Sequence, residues 1–231
     1  MQLDIKEQSL ILEGKKYSRK ELMSLSANAT GDNTSSFLLD LYRFLADWFS
    51  DSPFMTVHTS GSTGTPKVLT VRKEQMMQSA RMTCEFLNLH TGDTALLCMP
   101  LQYIAGKMMV VRALVAGLNL ILRTPSGHPL ADVTVPLRFV AMVPLQVFNT
   151  LQVLREKERL CHTDILIIGG GAIDAALENE IRLLPGEIYS TYGMTETLSH
   201  IALRRLNGSS ASPYYLSLIH ISEPTRQEAI S

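Results

Sequence analysis

The chain has 231 residues, of which 45% are hydrophobic and 19% charged, and its formal net charge is -1. This composition supports a buried core and excludes general disorder. Because there is no basic excess, we expect neither nucleic acid nor a membrane as a partner, and no pattern specifies an oligomeric state.

The cysteines and the N-terminus indicate a cytoplasmic protein. Cys84, Cys98 and Cys161 lie far apart and form neither a CxxC motif nor an even set. This usage is typical of buried free thiols in a reducing compartment. The N-terminus, "MQLDIKEQSLILEGKKYS", has no apolar run long enough for a signal peptide or a membrane span.

The first 52 residues are predicted to form an N-terminal segment. Residues 3–12 alternate weakly between apolar and polar side chains, which predicts a small hairpin. Apolar residues recur at steps of three and four along 37–49, which predicts an amphipathic helix. Ser35 or Ser36 is placed to cap this helix.

From residue 53 onward, short apolar strands alternate with helices. We predict strands at 54–59, 94–99, 118–122, 138–143, 164–170 and 187–193, and helices at 72–89, 104–117, 144–158 and 175–184. The alternation predicts an α/β fold with mostly parallel sheet layers and helices on both faces. Ligands of such sheets lie beyond the carboxyl ends of the strands, which points to the loops starting near Thr59, Gly169 and Thr191.

The repeating pattern stops near Tyr215. We therefore predict a core domain over 53–215 and a non-native tail over 216–231, because "LSLIHISEPTRQEAIS" resembles translated adaptor sequence. The alternative is a genuine short C-terminal extension.

The stretch "HTSGSTGTPKV", residues 58–68, is dense in glycine and hydroxyl side chains. Gly61 and Gly64 permit a backbone that turns several N–H groups toward one anion, and Lys67 adds a positive charge. The predicted phosphate-binding residues are Thr59, Ser60, Gly61, Ser62, Thr63, Gly64 and Lys67. The loop is not a Walker A motif, since Pro66 precedes the lysine and Val68 follows it, and a simple linker is the alternative.

The text "TSGSTGTPK" resembles the signature loop of the adenylate-forming superfamily, which includes acyl-CoA synthetases, luciferase-like enzymes and peptide-synthetase adenylation domains. Three further segments occur in the family's order: "PLQYIAG" at 100–106, "IIGGGAI" at 167–173 and "STYGMTET" at 190–197. The second could also begin a Rossmann fingerprint, but its third glycine position is Asp174. The segment 100–106 departs from the family pattern at Gln102 and Tyr103.

The resemblance implies a role for each matching residue. In the family, the motif tyrosine stacks on adenine, the threonine contacts phosphate and the glutamate holds magnesium, which implies these roles for Tyr192, Thr195 and Glu196. The implied catalytic residues are Lys67, Thr195 and Glu196. The implied nucleotide-binding residues also include Gly169, Gly170, Gly171, Ala172 and Gly193. The implied substrate-pocket residues are Gln102, Tyr103, Gly106, Met194 and His200, and for His200 a structural or orienting role is equally open.

The reaction that the resemblance implies is ATP-dependent activation of a carboxylic acid, with Mg²⁺, followed by transfer of the acyl group to coenzyme A. The overall sequence is similar to the o-succinylbenzoate–CoA ligase-like proteins of this superfamily, which implies a role in menaquinone biosynthesis. The alternatives are an adenylating enzyme for a fatty, aryl or amino acid, a non-catalytic nucleotide-binding module, and a dinucleotide oxidoreductase, whose fingerprint is lacking. The family's C-terminal domain, with its ribose-binding aspartate and its lysine, is not found before Tyr215. We therefore expect the chain as given to bind nucleotide weakly and to catalyse adenylation poorly.

Overall fold

The N-terminal residues form the predicted hairpin. The computed structural model describes residues 1, 3–29, 35–58 and 67–218. After a 3-10 turn at Ile5–Glu7, strands β1 (Ser9–Leu12) and β2 (Lys15–Ser18) pair antiparallel. Glu13 and Gly14 both have positive φ in the turn, at 48° and 83°.

Two helices follow the hairpin. Helix α1 (Arg19–Asn28) begins at a capping box formed by Ser18 and Glu21, and it was not predicted because Leu22 is its one fully buried residue. Helix α2 (Ser36–Phe49) confirms the amphipathic prediction. The Ser35 side chain caps it by accepting from the N–H of Leu38.

The rest of the chain contains the predicted strands and helices, together with further strands. The strands are β3 (Phe54–His58), β4 (Val68–Arg72), β5 (Thr94–Leu97), β6 (Asn119–Leu122), β7 (Leu137–Met142), β8 (Thr163–Ile168), β9 (Glu187–Gly193), β10 (His200–Arg205) and β11 (Leu216–Ser217). Of these, β4, β10 and β11 were not predicted. The further helices are α3 (Lys73–Phe86), α4 (Ile104–Ala116), α5 (Pro144–Gln152), α6 (Leu154–Cys161) and α7 (Ala175–Ile181).

Within the described residues, nine strands form one sheet in the order β11-β10-β9-β8-β7-β5-β6-β1-β2. The central strands β9, β8, β7, β5, β6 and β1 are parallel, and the edge strands β2, β10 and β11 are antiparallel. The α/β prediction with a mostly parallel sheet is confirmed. Because the carboxyl ends of parallel strands meet at one edge, the segments that follow β5, β7, β8 and β9 converge there.

Strand β3 differs from the prediction. It is not part of the parallel sheet but pairs antiparallel with β4, in register from Phe54–Arg72 to His58–Val68. The sequence did not reveal β4, in which only Val71 is buried. The segment near Thr59 therefore connects the two strands of a hairpin instead of leaving a parallel strand, and residues 59–66 lie outside the described residues.

The predicted helix over 144–158 is two helices, because Val153 is extended, with φ of -112° and ψ of 113°. Cys84 and Cys98 are buried free thiols, and burial raises the pKa of each to about 12, which keeps them protonated and unreactive. Searching the described helices for a segment long and apolar enough to cross a membrane finds none. Leu216 and Ser217 pair with β10, while 219–231 lie outside the described residues, so the domain boundaries stay predictions.

Candidate nucleotide site at the carboxyl edge of the sheet

The glycine run after β8 is packed tightly against the neighbouring strand. The N–H of Gly169 donates to the carbonyl oxygen of Met142 at 3.1 Å, which continues the β7–β8 pairing by one residue. A Cβ at Gly169 would collide with the Thr191 hydroxyl, and Gly170 has a φ of +80°. Gly171 and Ala172 follow as exposed residues. The glycines therefore let the chain turn sharply beside β9.

The end of β9 presents Tyr192 to solvent. Its side chain is 55% exposed, and its ring centroid lies 5.9 Å from that of Tyr215. Because β8 and β9 are adjacent parallel strands, the glycine run and Tyr192 lie at the same sheet edge. An exposed aromatic face beside a backbone turn without side chains is suited to a flat heterocycle.

Gly193 is required where β9 meets β10. A Cβ at Gly193 would collide with the Ser199 carbonyl oxygen and with the Cα of His200. The β9–β10 register shifts at this point, between His200 and Ala202. The bulge brings the segment between the two strands close over the end of β9.

That intervening segment is a 3-10 turn at Thr195–Thr197. Met194 and Glu196 are exposed and Thr195 is half-buried. The Thr197 hydroxyl accepts from the N–H of Met194 at 3.0 Å and lies 2.8 Å from the carbonyl oxygen of Ser199, to which it can donate. Thr197 thus shapes the turn that carries Glu196. Sequence reasoning missed this role, although a threonine four residues after a strand end is a recognisable turn signal.

The segment after β5 joins the same edge. Tyr103 and Gln102 are exposed, and Tyr103 makes an isolated parallel bridge with His58 at the end of β3. Gly106 is buried, and a Cβ there would collide with the carbonyl oxygen of Pro100 and lie 2.9 Å from that of Met99. In the structure Gly106 therefore serves the packing of α4 against its own lead-in segment.

Behind the turn lies a buried cationic cluster that sequence reasoning missed. Arg112 is 3% exposed, and it donates to Ser199 Oγ at 2.7 Å and to Met109 Sδ at 3.7 Å. Its Nε has no hydrogen-bond partner, and among the described residues it forms no ion pair. Burial lowers the pKa of Arg112 to about 10, which still leaves it charged at neutral pH.

His200 belongs to this cluster. It is 9% exposed, shares a hydrogen bond with Thr83 at 3.1 Å through Nε2, and lies 3.4 Å from Ser199 Oγ through Nδ1. Burial and, to a smaller extent, Arg112 lower the pKa of His200 to about 3, so it is neutral at physiological pH. His200 and Glu196 also line an open cleft of about 750 Å³ between α3 and β10.

The phosphate side of the site is partly outside the described residues. Predicted positions Thr59, Ser60, Gly61, Ser62, Thr63 and Gly64 fall in the undescribed stretch 59–66. Lys67 is the first described residue after that stretch and is exposed. Nowhere in the described ranges do three or more His, Cys, Asp or Glu side chains cluster around a metal position. Glu196 could therefore hold Mg²⁺ only together with ligand oxygens, which is how Mg²⁺ is bound in most nucleotide sites.

A family model described as "AMP-binding enzyme" matches residues 4–217, which is most of the chain. The chain belongs to the AMP-binding enzyme family. This membership confirms the resemblance and accounts for the convergence of a glycine turn, Tyr192 and Glu196 at one sheet edge.

Two curated members of the AMP-binding enzyme family illustrate the similarity. The chain is 29% identical over 168 residues to the 2-succinylbenzoate–CoA ligase of Haemophilus influenzae, covering 72% of this chain and 36% of that protein. It is 27% identical over 184 residues to the ligase of the same name from Escherichia coli, covering 77% of this chain and 40% of that protein. The chain thus spans about two-fifths or less of the length of these relatives.

Solved structures of the AMP-binding enzyme family have the same fold. An acyl-CoA synthetase (AMP-forming)/AMP-acid ligase II-like protein from Dyadobacter fermentans superposes with a TM-score of 0.76 at 36% identity, over 84% of this chain and 56% of that one. An O-succinylbenzoate coenzyme A synthetase from Bacillus subtilis, in complex with ATP and magnesium ion, superposes with a TM-score of 0.62. That protein is 16% identical over 91% of this chain and 63% of its own, so it shows the fold alone.

Proposed function

We propose that this chain forms the ATP-binding part of an AMP-forming acid–CoA ligase that activates a 2-succinylbenzoate-type acid. The observation that carries the proposal is the meeting of three motif segments at one sheet edge, in a member of the AMP-binding enzyme family. The names of the similar ligases support the acid and the acceptor. The place in menaquinone biosynthesis follows from the same likeness.

The adenine side of the site is formed by β8 and β9. Tyr192 stacks on the base, and the turn at Gly169–Gly171 with Ala172 lies against its edge and opposite face. Gly193 lets Ser199 and His200 approach the end of β9 because it lacks a side chain. Stacking on an exposed aromatic ring contributes about 1 kcal/mol beyond the burial of surface.

The phosphate side is formed by the residues between β3 and β4 and by the 3-10 turn. Thr59 to Gly64 and Lys67 hold the β- and γ-phosphates, and Thr195 contacts the α-phosphate. Glu196 would hold Mg²⁺, which would offset negative charge on the phosphates. In the first step a carboxylate oxygen bonds to the α-phosphorus while the bond to the pyrophosphate oxygen breaks. In the second step the thiol sulfur of coenzyme A bonds to the acyl carbon, the bond from that carbon to the phosphate oxygen breaks, and AMP and the thiol proton are released.

The buried cluster behind the turn favours an acid with a second carboxylate. A buried cation is costly unless a counter-charge or hydrogen bonds compensate it, and the described part of the chain supplies Arg112 with no carboxylate. Ser199 and His200 lie between the guanidinium and the cleft beside Glu196. The second carboxylate of a succinylbenzoate-type acid would supply Arg112 with the counter-charge that the described residues do not provide.

Calorimetric titration of the 231-residue chain tests the proposal. ATP is added with and without Mg²⁺, and with 2-succinylbenzoate or with benzoate, which lacks the second carboxylate. We expect MgATP to bind more tightly than ATP alone, and 2-succinylbenzoate, but not benzoate, to tighten it further. The Arg112→Met variant should lose the effect of the dicarboxylic acid and keep MgATP binding.

Two results would contradict the proposal in different ways. Failure of the chain to bind MgATP would show that the proposed nucleotide site does not bind nucleotide. MgATP binding that no acid influences would favour the alternative of a non-catalytic nucleotide-binding module, since an enzyme that joins two ligands should couple their binding.

A further inference from the structure

Four side chains behind the 3-10 turn form a hydrogen-bonded row that joins α3 to α4. Thr83 of α3 is fully buried, and its hydroxyl lies 3.1 Å from Nε2 of His200. Nδ1 of His200 lies 3.4 Å from Oγ of Ser199, which is 2.7 Å from the guanidinium of Arg112 on α4. The row therefore connects the buried cation to a helix that carries none of the sequence motifs.

The far end of the row fixes the tautomer of His200. The Thr83 hydroxyl donates to the carbonyl oxygen of Ser79, one helical turn earlier, at 3.1 Å. A hydroxyl has a single hydrogen, so the Thr83 oxygen is left to accept from His200. Burial lowers the pKa of His200, which keeps the ring neutral with one protonated nitrogen. The proton is thus on Nε2, and Nδ1 is an acceptor.

The near end of the row agrees with this assignment. A guanidinium only donates, so Ser199 Oγ accepts from Arg112 and has its own hydrogen to donate to Nδ1 of His200. In this arrangement every hydrogen in the row has one acceptor. The opposite tautomer would direct two donors at Ser199 Oγ and leave the serine hydrogen without an acceptor in the row.

The position of the Arg112 guanidinium depends on this serine. Among the described residues, Ser199 Oγ is the one oxygen that accepts from Arg112, and Nε of Arg112 has no partner. Ser199 is only half-buried and follows Leu198, whose φ is +66°. An unbonded serine hydroxyl can occupy three staggered rotamers, and the hydrogen bond to His200 favours one of them.

A second buried threonine provides a contrast. Thr150 of α5 is as fully buried as Thr83, but its hydroxyl has no hydrogen-bond partner in the described part of the chain. Valine has nearly the shape of threonine and is also β-branched. Thr83→Val therefore removes two hydrogen bonds from the row, whereas Thr150→Val makes the same change of side chain and removes none.

We propose that Thr83 is a positioning residue for the acid: through His200 and Ser199 it holds the Arg112 guanidinium in place for the second carboxylate. The inference rests on the proposed function, in which that carboxylate pairs with Arg112. Thr83 touches neither the acid nor the nucleotide. Its effect should therefore appear in the affinity for 2-succinylbenzoate and be absent from the affinity for MgATP alone.

Calorimetric titration of 2-succinylbenzoate into the chain saturated with MgATP tests the proposal. We expect Thr83→Val to weaken binding of the acid about fivefold, as for the loss of one hydrogen bond of ordinary strength, and to leave MgATP binding unchanged. Thr83→Ser keeps the hydroxyl and should restore most of the affinity. The matched control, Thr150→Val, should bind the acid as the parent does.

NMR of the chain labelled with ¹⁵N-histidine reads the row itself, which a role in packing alone would not affect. The His200 signals are identified by their loss in His200→Gln. In the parent we expect a protonated Nε2 and an unprotonated Nδ1. In Thr83→Val the Nε2 hydrogen has lost its acceptor, so its exchange with solvent should be several-fold faster, while Thr150→Val should leave it unchanged.

The outcomes separate this inference from the proposed function. If the parent chain binds no 2-succinylbenzoate in the presence of MgATP, the proposed function fails and the inference falls with it. If the parent binds the acid and Thr83→Val binds it equally well, the inference alone is wrong. A parent His200 protonated on Nδ1, or equal weakening by Thr83→Val and Thr150→Val, would also overturn the inference.

Discussion

The adenine side and the phosphate side of the candidate site differ in how firmly the surrounding fold holds them. The predicted adenine side lies where β8 and β9 end, and these two adjacent strands are in the interior of the nine-stranded sheet. Four consecutive residues of β8, Ile165–Ile168, are buried. The phosphate side extends from a two-stranded hairpin whose first strand buries only alternate residues. Within the described residues, the hairpin is held to the rest of the fold by its apolar face, the bridge between His58 and Tyr103 and the Lys107 side chain.

Because of this difference, we expect binding of the base and binding of the phosphates to require different amounts of ordering of the protein. Binding of adenine at the proposed position, where β8 and β9 end, should require little ordering of the protein because these strands lie inside the sheet. Among the described residues, the polar links between the β3–β4 hairpin and the sheet side are few, each worth about 1 kcal/mol. Substitutions in the sheet should therefore alter stability, and substitutions in the hairpin should alter affinity for phosphates.

The largest effect should be the loss of stability caused by adding a side chain at Gly193, on the sheet side. In Gly193→Val the added side chain meets the backbone of Ser199 and His200, which cannot move away as a flexible side chain could. We expect a loss of about 3 kcal/mol, the upper end for overpacking, and a fall in Tm of about 6–12 °C in a thermal unfolding scan.

A matched glycine distinguishes this clash from a general intolerance of side chains. A Cβ at Gly171 would meet only the Pro144 ring, at 3.6 Å, so Gly171→Ala should keep the parent Tm. Equal Tm values for the parent and the Gly193→Val protein would show that β10 does not approach β9 as closely as the structure indicates.

A smaller effect should come from breaking the phosphate side at Lys67. Loss of a charged hydrogen bond to phosphate in Lys67→Ala should weaken MgATP binding by roughly 10- to 100-fold, corresponding to about 1.5–3 kcal/mol. Adenosine affinity should stay at the parent value. Lys20→Ala, on the exposed face of α1, is the control. A parallel loss of adenosine affinity would mean that the two sides are not separable.

The smallest effect should be a pH dependence of the free energy of unfolding that comes from His200, on the sheet side. The folded protein keeps His200 neutral to about pH 3, whereas the unfolded chain binds a proton near pH 6.5. The stability that this difference represents is complete above pH 6.5 and is lost as the pH falls toward 3. Below pH 6 the parent should lose up to about 1.4 kcal/mol per pH unit more than His200→Gln does, as measured by urea unfolding at pH 7, 6 and 5. Parallel curves would show that His200 is not buried as a neutral side chain.

The sheet side could be predicted from the sequence in large part. The apolar strands at 138–143 and 164–170, and the glycine run that ends the second, follow from local patterns and predict which loops converge. The amphipathic helix α2 was predicted for the same reason, since Leu41 and Trp48 belong to its apolar stripe. Family motifs then placed Tyr192 and Glu196 at that edge.

The hairpin and the buried cluster could not be predicted, for physical reasons that local patterns do not contain. The pairing of β3 with β4 spans a glycine-rich segment with no two-residue turn signal, so nothing local shows that the chain returns. Arg112 interrupts an apolar helix, and its burial depends on Ser199, which is 87 residues away. The bond from Lys107 to Thr56 likewise joins residues 51 positions apart.

Amide hydrogen exchange of the parent chain, with and without MgATP, tests most directly that one nucleotide bridges the two sides. The account predicts protection in two separate stretches together: the end of β9 with its turn, over 190–198, and the hairpin strands over 54–58 and 68–72. Protection confined to one of these stretches, or appearing only elsewhere in the chain, would contradict it.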